Sequence, residues 1–220
     1  MSTKTFVGLG SEPGRGQTSG IRCLTPAGDP SWRPQPATPA DYDTDVDRYL
    51  ARCRDGLRAA LDGLDASNAD AAPGGRWSIT AILDHLDLTY SLNAEGYARR
   101  LARDTPATPR PVTMRQWVAR MLITRVGYFP PGRRSPDSVM PRGRRFAEVV
   151  ASFEPHLLLL DQRLKEGARV FGTSRPSVPH PLIGPLSVAD WRRFHWVHTR
   201  HHLKQIQALR RAISGEAGDR

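Results

Sequence analysis

Cysteine is nearly missing from this 220-residue chain, which carries Cys23 and Cys53 and no others. Two cysteines build no disulfide framework, and no CxxC spacing suggests a redox motif or a zinc ribbon. Cys53 falls on the apolar stripe of a helix and reads as a small core residue, while Cys23 sits in a Gly/Pro/Ser-rich stretch. Long hydrophobic runs are missing too: nothing is long enough to span a bilayer, and the N-terminal MSTKTFVGLGSEPGRG lacks an apolar signal core. A cytoplasmic protein with no membrane partner is expected. Lysine is scarce as well. Lys4, Lys165 and Lys204 are three of 32 basic residues, leaving 29 arginines against 22 acidic residues and a formal charge of +10. The arginine pairs 99–100, 133–134 and 144–145 are scattered rather than gathered on one element, so nucleic acid is not an expected partner. There is also no Gly-rich phosphate loop, no nucleophile elbow and no HEXXH pattern; Thr199, Arg200 and His201 stand between His198 and His202, with no glutamate base.

Helical periodicity is abundant. Residues 1–40 show no sustained apolar period and are expected to form a flexible tail, followed by one helical domain over 41–214 and a short tail over 215–220. Helices are expected from about Asp43 to Leu64, from a Ser78 cap to about Arg103, from Thr113 to Tyr128, from Arg145 to Gly167, and from Ser187 to Ile213. Met114, Trp117, Val118, Met121 and Leu122 read as packing residues of the third, and Gly167 as the stop of the fourth. In the last, Ser187 and Asp190 have the spacing of a capping box. No segment alternates convincingly with period 2, so the fold class is all-α: four long helices in a bundle plus one shorter helix.

The last helix carries four of the seven histidines. His198 and His202 are one turn apart, about 40° round the axis and about 6 Å along it, the spacing of a two-imidazole metal chelate. Trp191, His195, Gln205 and Leu209 share their stripe. His85, on the edge of the apolar face of the second helix, supplies a third imidazole. Three neutral imidazoles hold a borderline divalent ion and leave a position open; satisfied core histidines are the other reading of the same spacing. His195 is a candidate catalytic or pocket residue, and Gln205 one that orients a ligand or water. His201, about 100° round from His202, is expected to point away. Arg133 and Arg134, in a proline-rich loop over 129–144, either meet an anionic ligand or belong to a solvated loop. His156 reads as structural or solvent-facing, and Asp84 and Asp87 are assigned no chemistry.

The segments WSITAILDHLDL and HPLIGPLSVADWRRFHWVHTRHHLKQI, in that order, resemble the DinB/YfiT superfamily of metal-binding four-helix bundles, nearest its branch of unknown function. The resemblance covers roughly residues 43–213. It implies a metal triad of His85, His198 and His202 binding zinc or nickel, and it includes His180 in a loop feature. It also implies one of two chemistries for a small-molecule substrate: transfer of a low-molecular-weight thiol, such as mycothiol or bacillithiol, to an electrophile, or metal-dependent hydrolysis. The leading expectation is a thiol S-transferase-like enzyme. A hydrolase using metal-bound hydroxide and a non-catalytic, metal-stabilised binding protein are the alternatives. Pairing into a homodimer is expected from the same resemblance.

Overall fold

The structure is a computed structural model and describes residues 46–103, 111–129 and 135–215. The expected N-terminal tail, Arg133 and Arg134, and the chain beyond residue 215 lie outside the described residues. The described chain is mostly helical. Helix α1 spans Arg48–Leu61, α2 Ala66–Asp70, α3 Ile79–Leu101, α4 Met114–Met121, α5 Phe146–Phe171 and α6 Val188–Ile213.

The helix starts follow local chemistry. Asp47 accepts the amide of Tyr49 at 2.9 Å ahead of α1, and Ser78 Oγ accepts that of Ala81 at 3.1 Å ahead of α3. Ser187 and Asp190 form the capping box that opens α6. The short helix α2 lies inside what reads as a simple break, capped by Asp65 on the amide of Asn68. It is too short to show a period.

Two features depart from the sequence reading: a small hairpin within the mostly helical chain, and the end of the fourth helix. Pro176–His180 (β1) pairs antiparallel with Gly184–Ser187 (β2), with Val178 opposite Leu186 and His180 opposite Gly184. Two prolines in β1 and one in β2 hide this hairpin from a period-2 search, and tertiary contacts secure it instead. Trp191 Nε1 of α6 donates to the Val178 carbonyl at 2.8 Å, and Ser177 Oγ lies 2.7 Å from the Tyr97 hydroxyl of α3. Gly167 does not stop α5, which runs four residues further to Phe171 before Gly172 leaves the helix at φ +80°. Gly167 is buried instead, and a Cβ there would lie 2.8 Å from a ring carbon of Tyr97. Close approach of α5 to α3, rather than termination, requires the glycine.

Helix α3 packs along α5 and α1 along α6, the two most extensive helix pairings. Their facing stripes, including Leu50, Leu57, Leu86, Leu157, Leu160 and Ile206, form one core in which each of these side chains is fully buried. Helix α4 differs from the expectation. None of its residues is buried, and Met114, Trp117 and Val118 are exposed rather than packed. It continues as a π-helical turn, Leu122–Val126, in which Ile123 and Thr124 are buried, and ends at Gly127 with φ +74°. Arg120 Nη1 donates to the Pro185 carbonyl at 3.2 Å, which holds this arm against β2.

Among the described residues no helix is long and apolar enough to cross a membrane.

Candidate metal centre

Helices α3 and α6 bring His85, His198 and His202 together, all three buried. Their Nε2 atoms converge: His85 and His202 lie 3.2 Å and 3.1 Å from His198. Tetrahedral zinc–imidazole bonds of about 2.05 Å place neighbouring nitrogens about 3.3 Å apart, nearly the separation of these two pairs, and all three donors lie within 4.8 Å of one another.

The outer nitrogens settle which atoms face inward. His85 Nδ1 donates to the Val139 carbonyl at 2.8 Å, and His202 Nδ1 donates to Gln205 Oε1 at 2.7 Å. Each of these neutral rings therefore turns an Nε2 lone pair toward His198. His198 carries one proton when neutral, and an Nε2–H satisfies one of those lone pairs at a time. The other lone pair is then left facing His198 without a proton, an arrangement a cation relieves. The chemistry of the donor set fits a borderline divalent ion, and the two Nδ1 contacts are of the kind that fix ring orientation around such an ion. His198 Nδ1 is buried without a hydrogen-bond partner.

Burial keeps the rings neutral. It lowers the pKa of His85, pushes that of His202 down to about 3 and holds that of His198 well below its ordinary value, with the neighbouring imidazoles adding to the effect on the latter two. Neutral imidazole is the form that ligates a metal. His198 is also held between aromatic rings, stacked on Phe194 at 5.5 Å and tilted against Phe129 at 5.1 Å.

The three rings form part of the wall of a cavity of about 860 Å³. Helix α4, the π-helical turn, the segment around Val139 and the hairpin supply most of the rest, and the wall is mainly apolar. Gln205 lines the cavity. His195 does not. It is fully buried, 5.6 Å from Trp191 and 5.7 Å from Tyr90 by ring centroid, with both ring nitrogens unpartnered. One turn of helix places it on the same side of α6 as His198 but deeper in the core. His201, expected to point away, lines the cavity with its ring 5.2 Å from Phe129, and its Nε2 accepts from Gln205 Nε2 at 3.3 Å. A broad cavity mouth reaches further round α6 than one helical stripe predicts. His180 also lines it, its Nδ1 accepting the amide of Leu182 at 3.1 Å, and burial lowers its pKa to about 4.

Sequence reasoning missed the groups that hold the Val139 segment in place. Asp84 and Asp87, each 1% exposed, face Arg144. Asp84 accepts from Arg144 Nε at 2.9 Å and from the Arg142 amide at 2.6 Å, and Asp87 accepts from His156 Nδ1 at 2.6 Å and Ser152 Oγ at 2.8 Å. The pKa of Asp87 is lowered because hydrogen bonds from His156, Arg144 and Ser152 outweigh its burial. Two aspartates three residues apart on an otherwise apolar helix face were the available signal.

Residues 51–208 match the family model described as "Protein of unknown function (DUF1569)". No curated protein and no solved structure gives a significant match.

Proposed function

The chain belongs to the DUF1569 family, and we propose that it is a metal-dependent enzyme that transfers a low-molecular-weight thiol to a small electrophile. The observation that carries this reading is the convergence of three neutral, buried Nε2 donors on the wall of a large apolar cavity. In this reading α1, α3, α5 and α6 are the four helices of a DinB-like bundle, and His85, His198 and His202 hold a zinc or nickel ion. When bound, such an ion lowers the pKa of a coordinated thiol or water and so supplies a nucleophile at neutral pH.

The chain's own groups do the rest. The Val139 carbonyl and Gln205 hold the Nδ1 protons of His85 and His202, which keeps their lone pairs directed at the centre. Apolar walls exclude water and seat the electrophile, favouring an organic acceptor over hydrolysis. His201, whose pKa burial and Lys204 lower, lies on the wall with its Nε2 accepting from Gln205 Nε2, which braces the amide that holds His202. Homodimer formation belongs to the same reading and is read by sedimentation velocity.

Elemental analysis of protein purified without chelators tests the centre. About one zinc or nickel per chain is expected, lost in His198→Ala together with thiol conjugation in a screen of thiol and electrophile pairs. Metal-free protein overturns the reading. Ester turnover that needs no thiol replaces transfer with hydrolysis.

A further inference from the structure

The cavity wall selects on two properties at once. Its apolar part comes largely from Met114, Val118, Leu122, Ile183, Phe129 and Phe194. Its volume of about 860 Å³ is that of a pocket for a drug-sized organic molecule. Among the described lining residues only Arg115 carries a formal charge. It is exposed, and among the described residues its guanidinium has neither an ion pair nor a hydrogen bond. The segment around it is one-sided: residues 111–129 contain Arg115, Arg120 and Arg125 and no aspartate or glutamate. Arg120 is engaged on the Pro185 carbonyl and Arg125 is not among the lining residues, so Arg115 is the arginine of this segment at the cavity among the described residues.

With the three-histidine centre of the proposed function taken as the reactive end of this cavity, we propose that the organic substrate is an amphipathic anion. Its apolar body fills the space under α4, and its oxyanion head rests on Arg115. An apolar molecule alone leaves the guanidinium without a counter-charge, and a small hydrophilic anion leaves the apolar wall wet. A molecule with both features satisfies the two, because a charge-assisted contact beside an apolar wall is stronger than one in open solvent. Arg115 is thus a specificity residue at the mouth, remote in role from the histidines.

Isothermal titration of the full-length, zinc-loaded protein with decane sulfonate and with decanol, both below micellar concentration, tests the assignment. Sulfonate is a weak zinc ligand, so its head reports on the mouth rather than on the histidine centre. The sulfonate is expected to bind about tenfold more tightly than the alcohol, with that advantage lost in Arg115→Gln and kept in Arg115→Lys. Arg115 is exposed, so both variants are expected to fold. Equal affinity of the two probes, or an undiminished preference in Arg115→Gln, overturns the proposal. The same comparison in His198→Ala separates it from the metal reading. Persistence of the sulfonate preference without the ion supports the role of Arg115 independently, and its loss there refutes it. Failure of the wild type to bind zinc overturns the centre alone.

Discussion

At the scale of single residues, the fold holds several imidazoles in surroundings that refuse a proton. His195 shows this most simply, because it is fully buried, lies off the cavity, and has its pKa lowered to about 3 by desolvation. In the unfolded chain it titrates near the ordinary value of about 6.5. Below that pH the unfolded state binds the proton and the folded state does not, so stability is lost on acidification. Between pH 7 and pH 5 this one group is expected to cost about 2 kcal/mol, and His180 acts in the same direction. Urea denaturation at the two pH values measures the loss, and His195→Phe should flatten the dependence. The i, i+4 spacing of His198 and His202 was legible because both sit on one helix, but the depth of His195 was not. Helical angle gives direction, and only the neighbouring Trp191 and Tyr90 decide whether a ring reaches a cavity or ends in the core.

At the scale of elements, the segment between α4 and α5 matters more than its irregular sequence suggests. Val139 presents its carbonyl to His85, and the segment is anchored by Arg144 and the Arg142 amide on Asp84. These are contacts between residues 54 to 60 positions apart, and the decisive acceptor is backbone, so no side-chain pattern announces it. Arg144→Gln removes the cation from two buried carboxylates and leaves Asp84 with the Arg142 amide and Asp87 with His156 and Ser152. It is expected to weaken zinc binding about tenfold or more while His85 itself is unchanged. Competition against a chelating dye reads the affinity, and nitrogen NMR of His85 reads the loss of the Nδ1 proton's fixed partner. Unchanged affinity in a folded Arg144→Gln protein would show that Val139 keeps its place without this anchor. The helices themselves were mostly readable from apolar spacing and caps. The hairpin was hidden by its prolines, and the exposed apolar face of α4 was mistaken for a packing face because amphipathic spacing looks the same over a core and over a cavity.

At the scale of the whole molecule, two helix pairs, α3 with α5 and α1 with α6, share one core. The three imidazoles come from one member of each pair, His85 from α3 and the other two from α6. An ion held there links the pairs. Zinc at about a hundred times its dissociation constant is expected to add about 2.7 kcal/mol, or about 5–10 °C in melting temperature for a domain of this size. Differential scanning calorimetry with zinc and with chelator reads the shift, which should vanish in His85→Ala. The kinetic signature follows from the distance along the chain. His85 and His198 are 113 residues apart, so they meet only after the intervening chain has folded back on itself, and the centre closes late. Contacts absent from the folding transition state leave the forward rate alone and slow the reverse one. Zinc should therefore act as a brake on unfolding in stopped-flow experiments, with the refolding arm superimposable on that of the metal-free protein.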